Sequence, residues 1–141
     1  MKLVVDTNVL LTFFWQSSVA RVVFSDQHIG LCAPEFALEE IKKHESELMK
    51  KAKLSPVHFN QMRKEMAMLV EFIPLAEYRS FLETARSITP DPDDIDFVAL
   101  SLKFQCPIWS NDHALANQNH FKVCATKEII ELLAMQRMDD D

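Results

Sequence analysis

Four acidic side chains stand where apolar runs of the chain give out. Asp6 directly follows Leu3-Val4-Val5, and Asp112 follows Ile108-Trp109 by way of Ser110-Asn111. Glu40 lies early in a helical pattern after the run Ile29–Ala33, and Asp94 lies in the first turn of the helical pattern before Ile108. Taken singly, an acid at the end of a strand or helix is an ordinary cap or surface residue. Taken together, all four reach one place if the apolar runs are parallel strands, because open α/β sheets bind ligands beyond the carboxyl ends of their strands. Carboxylates brought that close repel one another and resist joint ionisation unless a cation offsets their charge. A ligand set made only of oxygen suits Mg²⁺ or Mn²⁺ rather than zinc. The three cysteines form no CxxC pair, and no histidine stands at zinc-ligand spacing from them.

Short β-rich runs alternate with longer helical patterns, and it is this alternation that must position the acids. Strands are expected at Leu3–Val5, Ile29–Ala33, Phe72–Ile73, Pro107–Trp109 and Phe121–Cys124, and helices near Val19–Ser25, Glu35–Ala52, Pro56–Val70, Leu75–Ser87, Asp93–Phe104, Ala114–Asn117 and Lys127–Met135. Such an order predicts a parallel sheet covered by helices on both faces. Two helical patterns, Glu35–Ala52 and Pro56–Val70, have no strand between them and are expected to form a projecting hairpin. Lys42, Lys43, Lys50, Lys51, Lys53, Arg63 and Lys64 concentrate positive charge there. Two readings stand for that charge: a solvated helical surface, or an arm that contacts phosphates.

Helical periodicity discriminates between neighbouring acids. In Asp93–Phe104, Ile95, Val98, Ala99 and Leu102 share one apolar face and Phe97, Leu100 and Phe104 a second. Asp96 and Lys103 fall on a strip facing solvent, whereas Asp94 and Ser101 fall at the boundary of the main apolar face. Asp94 is therefore preferred to Asp96, and Asp91, followed by Pro92, is explained as the N-cap. In Glu35–Ala52, Leu38, Ile41, Leu48 and Ala52 define the expected core stripe. Glu40 then lies on its flank and Glu39 faces solvent, although Phe36 falls on the same side as Glu40 and argues that the first turn is covered there.

Length and composition bound the rest. A chain of 141 residues with 48% apolar and 26% charged residues fits one globular domain with a substantial core. Residues 1–136 are assigned to that domain and 137–141 to an acidic, frayed tail. Gly30 is the single glycine, which excludes a Gly-rich phosphate loop and a dinucleotide-binding fingerprint. Cys32, Cys106 and Cys124 lie in or beside apolar runs and read as free thiols of a reducing compartment. With no apolar run near the ~20 residues of a membrane span and no signal-peptide pattern at the start, a cytoplasmic location is expected. A net charge of −6 lowers the expectation of tight non-specific nucleic-acid binding. It does not exclude a metal-dependent hydrolase, whose acids hold cations that in turn face phosphate.

At this point the residues resemble the PIN domain family of metal-dependent nucleases, which includes toxins of toxin–antitoxin pairs. Val5-Asp6-Thr7-Asn8-Val9-Leu10 is similar to the family's first motif, and Pro34-Glu35-Phe36-Ala37-Leu38-Glu39-Glu40-Ile41 to the second. Asp94-Ile95-Asp96-Phe97-Val98-Ala99-Leu100 resembles the third, with an alanine five residues after the acid, and Ile108-Trp109-Ser110-Asn111-Asp112 the fourth. The motifs occur in the family's order and span most of the chain. The resemblance implies an α/β, PIN-like three-layer sandwich around a five-stranded parallel sheet of order 3-2-1-4-5. It also implies hydrolysis of RNA phosphodiester bonds with Mg²⁺ or Mn²⁺. Asp6, Asp94 and Asp112 would ligate the metal, Glu40 directly or through water, and Thr7, Asn8 and Ser110 would orient acids or water. Thr7 and Asn8 have a second reading as the start of the next helix, and His44 and His113 are ambiguous between site and surface. Trp109, in a strand, is read as core.

Rival readings are weaker. A non-catalytic PIN-like module that binds nucleic acid or protein has no use for four clustered acids. A receiver-like domain would want an acid after the third strand, where this chain has Pro74-Leu75-Ala76, and a dehalogenase-type phosphatase would want an acid where Asn8 stands. An RNA substrate, an antitoxin partner and no membrane follow from the preferred reading. The apolar surplus of Asp93–Phe104 and of Ile129, Ile130, Leu132, Leu133 and Met135 adds an expected homodimer.

Overall fold

The computed structural model describes residues 1–15 and 18–140, Asp140 by its backbone alone. Leu3, Val4 and Val5 are successive residues of strand β1 (Lys2–Val5), and none has any exposed surface. Because neighbouring strand residues point to opposite faces, the sheet is covered on both sides. The other strands are β2 (Gly30–Pro34), β3 (Val70–Ile73), β4 (Ile108–Trp109) and β5 (Val123–Cys124). All pair in parallel, in the order β3-β2-β1-β4-β5. This is the order that the resemblance implied.

Ten α-helices are described: α1 (Thr7–Thr12), α2 (Ala20–Phe24), α3 (Phe36–Lys43), α4 (Glu45–Ala52), α5 (Pro56–Leu69), α6 (Leu75–Tyr78), α7 (Leu82–Ile88), α8 (Ile95–Phe104), α9 (His113–Ala116) and α10 (Thr126–Asp140). With right-handed crossovers, the helices after β1 and β2 cover one face and those linking β3 to β4 cover the other. Helix α10 returns to the first face against α2, where Phe24 lies 5.0 Å from the ring of fully buried Trp109. Trp109 is thus a core residue, with its indole N–H satisfied by Thr126 Oγ1 at 2.8 Å.

Helix α8 is buried over five consecutive residues, Phe97–Ser101, which at about 100° per residue covers its whole circumference. The two apolar faces expected from the sequence are both used inside the molecule. Ser101 tolerates burial because its hydroxyl donates to the Cys106 carbonyl at 2.6 Å. Asp96 is not on a solvent strip: it is half-buried and accepts a 2.5 Å hydrogen bond from the hydroxyl of buried Tyr78.

The helical pair after β2 is present, and its apolar side joins the common core through Leu48, Phe59, Met62 and Met66. Phe59 stacks on Phe14 with ring centroids 4.7 Å apart. The expected single helix Glu35–Ala52 is broken at His44 (φ −99°, ψ 5°) into α3 and α4. The core face of α3 is set by Ala37 and Ile41, and Leu38 is 38% exposed rather than part of the core stripe. At the other end of the chain, the helical backbone continues past Met135 to Asp140, so Asp139 and Asp140 extend α10 instead of trailing from it; Asp141 lies outside the described residues. The three cysteines are free thiols, Cys32 and Cys124 buried and Cys106 half-buried.

Candidate active site

Three of the four expected site acids are placed by element ends, and the fourth by the rotation of a helix. Asp6 ends β1 and caps α1, its Oδ1 accepting the Val9 amide at 2.8 Å. The first residue of α1, Thr7, donates its hydroxyl to Glu40 Oε1 at 2.6 Å. Thr7 thus starts the helix and at the same time donates to an acid of the second motif. Glu40 follows from the rotation of α3. With Ala37 and Ile41 inward, Glu40 lies about 80° from the buried direction and Glu39 about 180°, and Glu40 is half-buried while Glu39 is exposed.

Asp94 closes a 3-10 turn (Pro92–Asp94) that begins with Pro92 and is capped by Asp91, whose Oδ1 accepts the Asp93 amide at 3.0 Å. Helix α8 then starts at Ile95, two residues later than expected. Asp112 lies beyond β4 and caps α9, with Oδ1 accepting the Ala114 amide at 2.9 Å. Buried Ser110 binds the turn together, its Oγ accepting the Asp112 amide at 3.1 Å. Asn111 completes the corner by accepting the Thr126 amide at 2.9 Å.

These four acids line one cleft of about 240 Å³, together with Thr7, Asn8, Asp91 and Asp93. Leu11 and Phe97 add an apolar edge and His44 a polar one. No lysine or arginine is among the lining residues. Like charges consequently act on one another. Burial pushes the Asp6 carboxyl above the usual aspartate range, opposed by Ser110 and the Val9 amide and reinforced by Asp112 and Glu40. The Asp94 carboxyl rises to about 6, first through burial and then through Asp91, Asp112, Asp6 and Asp93. The acids face a common space without closing on one point. Among the described residues, no three Asp, Glu, His or Cys side chains are close enough to hold a cation as they stand. Their donor chemistry, all carboxylate and hydroxyl oxygen, fits a hard divalent cation that keeps part of its water shell.

Asp91 and Asp93, which the sequence does not single out for the site, also line the cleft. Asp91 and Asp93 flank Asp94 in sequence, and their capping pattern masked their position. His44, ambiguous between site and surface in the sequence, follows Glu40 by one helical turn and lines the cleft with it. Asp96 does not line the cleft; it lies against Glu35, Glu39 and Tyr78 in a separate hollow. A larger, more apolar hollow of about 400 Å³ lies at the amino ends of β4 and β5, beside Cys106 and Phe121, and contains no acid.

A parallel sheet of this order, with an uncompensated acidic cleft at the carboxyl ends of its strands, defines the class. The family model for the PIN domain matches residues 4–134, and this chain belongs to that family. No curated protein matches its sequence significantly. Among solved structures, a chain of the VapBC2 complex from Rickettsia felis, bound to a DNA fragment from its promoter, superposes with a TM-score of 0.59. That likeness covers 89% of this chain and 98% of the other at 12% identity, and it shows the fold alone. Among the described residues, no helix is long and apolar enough to cross a membrane.

Proposed function

We propose that the protein is a divalent-metal-dependent ribonuclease that hydrolyses RNA phosphodiester bonds. One observation carries this reading: the carboxylates of Asp6, Glu40, Asp94 and Asp112 come from four separate segments to one cleft with no lysine or arginine to balance them. A cleft of that kind is electrostatically incomplete without a cation. Asp6, Asp94 and Asp112 would hold Mg²⁺ or Mn²⁺, with Glu40 doing so directly or through water. The bound metal would supply a water of lowered pKa and charge stabilisation at the phosphorus. The chain's own contribution is positional. Thr7 aims Glu40, Ser110 steadies both Asp6 and the Asp112 turn, and Leu11 and Phe97 limit water on one edge.

The test is cleavage of single-stranded RNA by purified protein with Mg²⁺ or Mn²⁺, abolished by EDTA. Asp6→Asn and Asp94→Asn are each expected to lose activity while keeping the circular dichroism of the fold. Full activity of both variants would refute the assignment. By analogy with the paired proteins of the Rickettsia felis complex, we also assign the chain a partner, the antitoxin of a toxin–antitoxin pair. A groove of about 390 Å³ lined by Leu38, Ala67, Lys42, Arg63, Lys64 and one acid, Glu39, offers such a partner both apolar and charged contacts. Co-purification with the product of an adjacent reading frame tests that assignment.

A further inference from the structure

The acidic cleft does not end at His44. A second hollow of about 260 Å³ shares Asn8, Leu11 and His44 with it and continues to Trp15, Leu48 and Lys51. The two hollows differ in chemistry. The first is lined by carboxylates, whereas the second has an indole and aliphatic surface, with Lys51 and Glu47 paired at 2.6 Å on its rim. The chain has two tryptophans, and they are placed oppositely: Trp109 is 0% exposed and Trp15 is 36% exposed. An exposed indole in a hollow continuous with a candidate phosphodiester site is the surface that an unstacked base requires.

Trp15 is also held in place. Its amide donates to the Thr12 carbonyl at 3.0 Å, and its own carbonyl accepts from the Ser18 amide at 3.0 Å. The Arg21 guanidinium braces the backbone at Phe13 and Trp15, donating to the Phe13 carbonyl at 2.5 Å and the Trp15 carbonyl at 3.3 Å. That guanidinium lies over the Phe13 ring, 4.6 Å from its centroid. Beside the indole, His44 spans the boundary between the hollows, and among the described residues Lys51 is tied only to exposed Glu47. An exposed pair of this type exchanges partners at little cost, so Lys51 can turn to a phosphate.

Building on the nuclease reading, we propose that Trp15 is the stacking platform for the base next to the scissile phosphate of a single-stranded RNA, with Lys51 meeting the adjoining phosphate. Stacking is indifferent to base identity, so this subsite selects for unpaired nucleotides rather than for a sequence. Trp15 is a positioning residue, and its loss acts on substrate binding rather than on the hydrolytic step.

Buried Trp109 makes Trp15 the accessible fluorophore. A short phosphorothioate oligouridylate, added to the full chain with Mg²⁺, is expected to quench the Trp15 emission. Trp15→Ala is expected to weaken its binding at least fivefold by fluorescence anisotropy, and Trp15→Phe less than twofold. With cleavable RNA, Trp15→Ala should raise KM with kcat little changed. An oligomer of abasic sugars on the same backbone should bind the native protein as weakly as the uridylate binds Trp15→Ala. Quenching without cleavage of ordinary RNA would leave the subsite standing and overturn the nuclease reading. Cleavage without quenching, or equal affinity of Trp15→Ala and the native protein, would overturn the subsite; absence of both quenching and cleavage would overturn both.

Discussion

Removing one negative charge from the cleft should stabilise the metal-free protein, and Asp94→Asn is the substitution that isolates the effect. The Asp94 carboxyl is raised from the usual 3.8 to about 6, by burial first and then by Asp91, Asp112, Asp6 and Asp93. At about 1.36 kcal/mol per pH unit that difference corresponds to roughly 3 kcal/mol. Asp94 is only half-buried, and solvent screening reduces the figure to about 1–2 kcal/mol. The sign follows from proton linkage. Between pH 3.8 and 6 the folded state binds the proton more tightly than the unfolded chain, so stability falls as pH rises through that window. The stabilising contribution is fully present below the unfolded value and is lost once the folded group ionises. Asparagine has no such dependence.

The assay is thermal unfolding in EDTA from pH 4 to 8 at constant ionic strength. Asp94→Asn and the native protein should have nearly equal Tm at pH 4. At pH 7 the variant should be higher by about 2–8 °C, from the scaling of Tm with stability for a domain of this size. Mg²⁺ or Mn²⁺ should then raise the native Tm and narrow or reverse the gap, because only a state with an intact site gains binding free energy. If Asp94→Asn is no more stable than the native protein at pH 7 in EDTA, the carboxylates do not strain one another and the electrostatic case for a cation fails.

Other outcomes follow from the same geometry. Glu40→Gln should reduce metal-dependent RNA cleavage at least tenfold, about 1.4 kcal/mol in barrier terms. Glu39→Gln, on the opposite side of α3, should change it little, and the reverse ranking in an initial-rate assay would show that the second acidic motif is misaligned by one residue. Gln105 ends α8 in the left-handed region at φ 51°, so Gln105→Gly should stabilise by about 0.5–1 kcal/mol, read as a higher midpoint in urea. The apolar side chains that α10 leaves outside, Leu132, Met135 and Met138, lead us to expect a homodimer, and light scattering that shows a monomer at tens of micromolar would count against it.

The parts of the fold legible in sequence were those in which one local pattern dominates. Leu3-Val4-Val5 reads as a buried strand, and the pairing order follows once the family's motifs are aligned. Helix ends were less legible, for a reason particular to this composition. A chain whose single glycine lies in a strand has no glycine to mark where helices stop. The left-handed ends of α4 and α8 fall instead on Lys53 and Gln105, residue types with no stop signal. The break at His44 was hidden in the same way, since the apolar periodicity runs on from Ile41 to Leu48 as though the helix were continuous. A single helical wheel over Glu35–Ala52 places Leu38 in the core stripe, whereas the separate wheel of α3 places Ala37 there. The periodicity of α8 alone points Asp96 to solvent, but its partner Tyr78 belongs to another element. In each case the missing information is tertiary.

The site acids also carry part of the fold, and this governs how their roles can be separated. Asp6 and Asp112 are N-caps of α1 and α9 through Oδ1, each accepting a backbone amide that would otherwise be unsatisfied. Only the remaining oxygen of each is free of a backbone bond, so one carboxylate does two jobs with its two oxygens. Alanine at either position removes both and costs about 0.5–2 kcal/mol of stability through the lost cap alone. Asparagine keeps an oxygen for the amide and removes the charge, so it tests metal binding without undoing the helix start. Glu40 and Asp94 have no side-chain capping bond of this kind. Loss of activity in Asp6→Asn and Asp112→Asn without loss of stability would therefore assign the effect to the charge, whereas the corresponding alanine variants would confound charge with fold.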